Sequence, residues 1–136
     1  DTIGVFPITL TVSENGCTET YTGTVEVFPK PIANYGLASS LACDLQPVHF
    51  VDSSIATTAL TYQWYKEAGT TDIKLTNTAP YSGVTTPTLT ISPGTSSQAG
   101  EYYVIVTGSC GTAKTSSKAM LTVFPAPNLD IQTAVT

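Results

Sequence analysis

Three cysteines, one histidine and ten carboxylates are the side chains of this 136-residue chain with the widest chemical reach. A hydroxyl or thiolate nucleophile needs a base within hydrogen-bond distance and a third group to orient that base. His49 is the single candidate base. It stands between Val48 and Phe50 in an alternating run, so it is expected on an outward face, away from any buried acid. A structural or catalytic zinc site needs closely spaced Cys or His pairs. Cys17, Cys43 and Cys110 are far apart and no second histidine exists, which argues against a metal centre. A calcium loop needs several oxygens converging within a few residues. The carboxylates form no Asp-x-Asp group, and they read as scattered solvated surface charge. A calcium ion held between modules near the prolines is the remaining alternative. A glycosidase pair of carboxylates would need a cleft, and no cleft-forming insertion is visible. The expectation is no catalytic residue, no metal, no cofactor and no enzyme activity.

Charge narrows the partners further. Charged residues make up 11% of the chain, the net charge is −5, and arginine is absent. Phosphate recognition rests on Arg forks and Lys clusters, and the five lysines form no run. Nucleic acid and anionic membrane surfaces are therefore not expected partners. No stretch of about 18 apolar residues is present to span a bilayer. With 41% hydrophobic residues the chain can still bury a core.

The elements that must position any site are β-strands. Thr, which favours strands, is the commonest residue. In residues 3–12, Ile8, Leu10 and Val12 alternate with Thr9 and Thr11. Asn15-Gly16 then signals a tight turn, and residues 18–28 alternate again, which predicts a hairpin. Pro29-Lys30-Pro31 reads as a stiff hinge. Val27-Phe28-Pro29-Lys30-Pro31 returns as Val123-Phe124-Pro125-Ala126-Pro127, an offset of 96 residues, about one β-sandwich module. Each copy follows a strand, a Gly/Cys turn and a second strand. Residues 1–28 are thus expected to be the end of a truncated module, 29–32 a hinge, 33–124 a whole domain, and 125–136 a linker and the start of a next module. Within the whole domain, strands are expected near 33–38, 46–52, 59–66, 72–75, 81–85, 87–92, 101–108 and 116–124, with one 3₁₀ turn within 95–100.

Two segments of that domain carry a resemblance. Leu60-Thr61-Tyr62-Gln63-Trp64-Tyr65-Lys66 resembles the third strand of immunoglobulin domains with its buried Trp. Ser97-Gln98-Ala99-Gly100-Glu101-Tyr102-Tyr103-Val104 resembles the start of their sixth strand. The resemblance implies an all-β, immunoglobulin-like antiparallel sandwich with Trp64 in the core. It makes Tyr102 a tyrosine corner whose hydroxyl ties back to the chain just upstream. Gln98 stands where the family has Asp, so a salt bridge there is missing. Val104 replaces the second family cysteine, and Phe50 is expected to fill the space of the absent inter-sheet disulfide. The pattern is similar to the immunoglobulin-like repeats of large bacterial surface proteins. Residues 1–28 resemble the last two strands of a polycystic-kidney-disease-type (PKD) domain. On these strand placements Cys43 and Cys110 share one end of the sandwich and are expected to form a disulfide, closing a loop of 67 residues, with Cys17 unpaired.

If Trp64 and Tyr102 face the core, then Gln63, Tyr65, Tyr103 and Ile105 face outward on neighbouring strands. They are the candidate binding face. The expected function is a non-catalytic spacer or adhesion module of an extracellular or cell-surface protein, partnered by other modules of the same protein. A carbohydrate-binding module attached to a secreted polysaccharide-degrading enzyme is the alternative, with Tyr65, Tyr103 and Tyr81 stacking on sugar rings. The apolar face of the hairpin is expected to drive homodimer formation when it is left uncovered.

Overall fold

A computed structural model describes residues 3–28, 30–33, 36–56, 59–109 and 111–127. Eleven strands and one 3₁₀ turn make up its elements among the described residues, and none is a helix long and apolar enough to cross a membrane. Strands β1 (Gly4–Glu14) and β2 (Cys17–Val27) form a separate two-stranded antiparallel sheet. Asn15 (φ 50°) and Gly16 (φ 82°) both lie in the left-handed region. This is the type I′ geometry that an Asn-Gly pair allows and that matches the twist of the flanking strands. The register pairs Phe6 with Val25, Leu10 with Tyr21 and Thr9 with Thr22. One face of the hairpin is therefore apolar and the other a field of threonines.

The remaining strands build a sandwich. One sheet runs β3 (Ser40–Cys43), β11 (Ala119–Phe124), β9 (Gly100–Thr107), β5 (Thr61–Lys66), β6 (Ile73–Lys74), and β10 (Lys114–Thr115) also pairs with β9. The other runs β4 (Val48–Val51), β8 (Thr88–Ile91), β7 (Tyr81–Ser82). All pairings are antiparallel except β3 with β11, which is parallel. This is the immunoglobulin-like β-sandwich that the Trp64 and Tyr102 segments imply. The short β3 and β10 are additions to the expected strand set. Of the strand expected at 33–38, residues 34–35 lie outside the described residues and residues 33 and 36–38 are in no strand; Ile32, just before them, makes an isolated bridge to Ile55.

Alternation places the core. Val48 and Phe50 from β4, Leu89 and Ile91 from β8, Trp64 from β5, and Tyr102, Val104 and Val106 from β9 are all essentially sealed from solvent. Each such side chain contributes roughly 1.5–3 kcal/mol on burial. Phe50 fills the space between the sheets: its ring stacks on Tyr102 at 5.3 Å and lies 6.3 Å from Trp64. The Trp64 indole N–H donates to the Thr86 carbonyl at 2.9 Å, so the buried donor is satisfied. The Tyr102 hydroxyl donates to the Gln98 carbonyl at the start of β9. Gln98 closes the 3₁₀ turn Ser96–Gln98 in a capping box, its side-chain oxygen accepting the Thr95 backbone N–H at 3.1 Å. Beside it, Lys66 reaches over the Tyr102 ring and donates to the Ser97 carbonyl.

The two ends of the sandwich are distinct. Leu60, Thr61, Thr107 and Gly108 mark the hinge end: a Cβ at Gly108 would lie 3.4 Å from Pro31, and Gly111 abuts Lys30. Lys66, Gly100 and Phe124 mark the far end.

Candidate functional site

Strands β5 and β9 run antiparallel with Tyr65 opposite Tyr103 and Gln63 opposite Ile105. The four residues are therefore brought together on the outward side of one sheet. Their environment is more closed than an open binding face. The rings of Tyr65 and Tyr103 stack on one another, 5.3 Å apart and 7° from parallel. Tyr103 is only 9% exposed, and its hydroxyl donates to Asp72 Oδ2 at 2.7 Å. Asp72 sits just ahead of β6, so this bond ties the edge of the sheet to its centre. Burial, then the hydrogen bond to Asp72, push the Tyr103 phenol up to about 12. The Gln63 amide donates to the Leu75 and Trp64 carbonyls at 2.9 and 3.0 Å. Its donors are spent inside the domain, and Ile105 is half-buried.

A charged cluster adjoins this pair. Lys118 forms a salt bridge with Glu67 and stands 3.8 Å from Glu101. Its hydrogen bond to Glu67 raises the Lys118 ammonium, while hydrogen bonds with Glu101 and Lys118 lower Glu67. Glu101 is raised, chiefly by that bond with Glu67. One cation thus bridges two carboxylates in solvent. Strand parity could have found Glu101, two residues from Tyr103 on β9, and Glu67, which continues the parity of Tyr65 one residue past the end of β5. Lys118 and Asp72 carry no such signal, since both lie outside β5 and β9.

The other chemically capable residues stay apart. His49 is exposed, with Nδ1 and Thr90 Oγ1 2.9 Å apart. Among the described residues no three His, Cys, Asp or Glu side chains converge on a point that could hold a metal ion. Asp52 corrects the reading of every carboxylate as surface charge. It continues the inward parity of Val48 and Phe50, is 5% exposed, and accepts the Ser54 backbone N–H at 3.0 Å through Oδ2. Its Oδ1 is buried without a hydrogen-bond partner among the described residues. That carboxylate helps burial raise the Tyr62 phenol.

Cys17 and Cys43 are exposed free thiols, and Cys110 lies outside the described residues. The expected Cys43–Cys110 pairing therefore lies outside the described residues. Cys43 itself stands opposite Phe124 in the parallel pairing of β3 with β11.

No family model and no curated protein matches this chain. Solved structures do. The chain matches extracellular domains 3–5 of Drosophila OTK with a TM-score of 0.69 at 18% identity, covering 88% of this chain and 40% of that one. It matches the N-terminal four Ig domains of Dscam1 isoform 4.44 at 0.62 and 19%, covering 82% and 31%. It matches a three-Ig structure of titin domains I67–I69 at 0.66 and 16%, covering 87% and 41%. The chain is thus less than half as long as each of these multidomain structures, and the likeness at such identities is one of fold.

Proposed function

We propose that this chain is a non-catalytic spacer or adhesion module of a large extracellular bacterial protein. In this reading residues 1–28 end a PKD-like β-module, 33–124 form an immunoglobulin-like module, and 125–136 lead into another. The observation that carries it is a contrast in satisfaction. Gln63 and Tyr103 on the β5/β9 face spend their donors inside the domain and Tyr65 stacks on Tyr103, while Ile8, Leu10 and Tyr21 of the hairpin stand 52%, 62% and 73% exposed. Surfaces of this kind mark contacts between protein layers. Coverage by multidomain structures supports the division. Residues 30–136 are 107 of 136 residues, about 79% of the chain, so an 88% match reaches into the hairpin.

The test is a hydrophobic dye. The intact chain is expected to bind it through the hairpin, and a Leu10→Thr, Tyr21→Thr double substitution is expected to abolish most of the fluorescence. Unchanged fluorescence would place the sticky surface elsewhere and sink the reading. The carbohydrate alternative is weakened because Tyr103 is covered and Tyr65 stacks on it. Electrophoresis in polysaccharide gels is expected to show no retardation; retardation relieved by Tyr65→Ala would reinstate that alternative.

A further inference from the structure

The two outer edges of the hairpin are not equivalent. Because Asn15-Gly16 is a two-residue turn, the flanking pair Glu14 and Cys17 exchanges both backbone hydrogen bonds. Bonded and non-bonded pairs then alternate down the ladder. Pro7 opposite Thr24 and Thr9 opposite Thr22 fall on non-bonded pairs. Backbone groups of residues at such pairs point away from the hairpin, onto its outer edges. On β1 the outward donors are those of Val5, Thr9, Thr11 and Ser13, with a gap at Pro7, which has no N–H. On β2 they run unbroken through Thr18, Thr20, Thr22, Thr24 and Glu26. The edge of β1 is capped and the edge of β2 is complete.

A complete free edge is a template for another strand, and a lone two-stranded hairpin is marginal until a third strand joins it. The β2 sequence suits its own copy. Full antiparallel overlap of Cys17–Val27 with itself puts Thr22 of one copy opposite Thr22 of the other, and Thr20 opposite Thr24. Glu26 then meets Thr18 and Glu19 meets Val25, so no like charges share a rung. All outward donors and acceptors of both strands are used. Alternation is preserved, so the threonines of both copies share one face and the apolar residues the other. We infer that this chain pairs with a second copy of itself, β2 against β2 across a two-fold axis, to form a continuous four-stranded sheet. The pairing rests on the two edges of the hairpin as this chain presents them, and not on the proposed function.

The register predicts a specific cross-link. Cys17 of one copy lies opposite Val27 of the other, in a non-bonded pair whose short Cα separation suits a disulfide. Within one chain these positions stand at opposite ends of an 11-residue strand, too far apart to bridge. Val27→Cys should therefore give, on mild oxidation, a closed covalent dimer. Peptide mapping should show native Cys17 linked to the cysteine introduced at position 27 of the other copy. Thr22→Pro removes the central outward donor of β2 and no bond inside the hairpin, as Pro7 does on β1. It should raise the dimer dissociation constant at least tenfold in sedimentation, while Thr9→Pro on β1 leaves it unchanged. A monomeric chain at high concentration, a cross-link of position 27 to itself, or equal sensitivity to both prolines would overturn the inference. So would a dimer that survives Thr22→Pro but is lost in Leu10→Thr, because the apolar face and not the edge would then be holding the copies together.

Discussion

The hairpin and the sandwich are written in the same alternating pattern and reach opposite ends. In the sandwich the apolar positions of β4, β5, β8 and β9 meet a second sheet, and Trp64, Leu89, Ile91 and Val104 are all 0% exposed. In the hairpin Val5, Leu10, Val12 and Tyr21 are each more than half exposed. Both regions have sound turn chemistry and full cross-strand ladders. Alternation therefore specifies a face and its register, but the cover must come from another element. Most of the stability of the sandwich lies in that cover, because backbone hydrogen bonds contribute only modestly once exchanged for bonds to water.

This contrast can be broken by substitution. Trp64→Ala is expected to cost about 3–5 kcal/mol or unfold the domain, since it opens a cavity beneath Phe50 and leaves the Thr86 carbonyl without its indole donor. Chemical denaturation followed by circular dichroism checks it. A cost below about 1 kcal/mol would mean the two regions do not differ in the way described.

Alkali is expected to act next most strongly. Tyr103 holds its proton to about 12 in the folded state, against 10.0 for an ordinary phenol. The folded chain thus binds that proton more tightly than the unfolded chain, so stability is intact below pH 10 and falls between about pH 10 and 12. A two-unit shift corresponds to about 2–3 kcal/mol. Tyr102, raised further by burial and its contact with Tyr81, adds in the same direction. Thermal melts across that range should show the loss, and Tyr103→Phe should flatten it.

A smaller effect comes from the tyrosine corner. Tyr102→Phe keeps the ring against Phe50 and removes one hydrogen bond, for an expected cost of about 1–2 kcal/mol, readable in the same denaturation experiment. Leu10→Thr should cost the least, within about 0.5 kcal/mol of sandwich stability. A larger loss there would show that the hairpin supports the sandwich core.

The pattern of legibility follows from range. Trp64, Tyr102 and the outward group Gln63, Tyr65, Tyr103 and Ile105 are readable because strand parity and two local motifs are enough to place them. β3 is not, because Ser40–Cys43 is a strand only by virtue of its partner β11, which lies some 80 residues away. Which end of the sandwich a residue occupies depends on strand direction, and the parallel pairing of β3 with β11 puts Cys43 opposite Phe124. Asp52 carries the inward parity of Val48 and Phe50, a signal that its charge masks. The closure of the β5/β9 face depends on Asp72 and Lys118, which reach it from outside those strands, so no spacing announces it.

The parallel pairing of β3 with β11 also has a mechanical consequence. The chain enters the sandwich at the hinge end, beside Gly108, and β11 leaves it at Phe124, at the far end. Tension applied between the two ends of the sandwich pulls β3 and β11 in opposite directions along their own axes. Their rungs, from Ser40 with Leu121 to Cys43 with Phe124, together with the 2.8 Å bond from the Asp44 N–H to the Phe124 carbonyl, are then loaded in shear and all at once. They do not open one after another as an unzipping hairpin does. The molecule should resist stretching far better through its sandwich than through the β1/β2 hairpin.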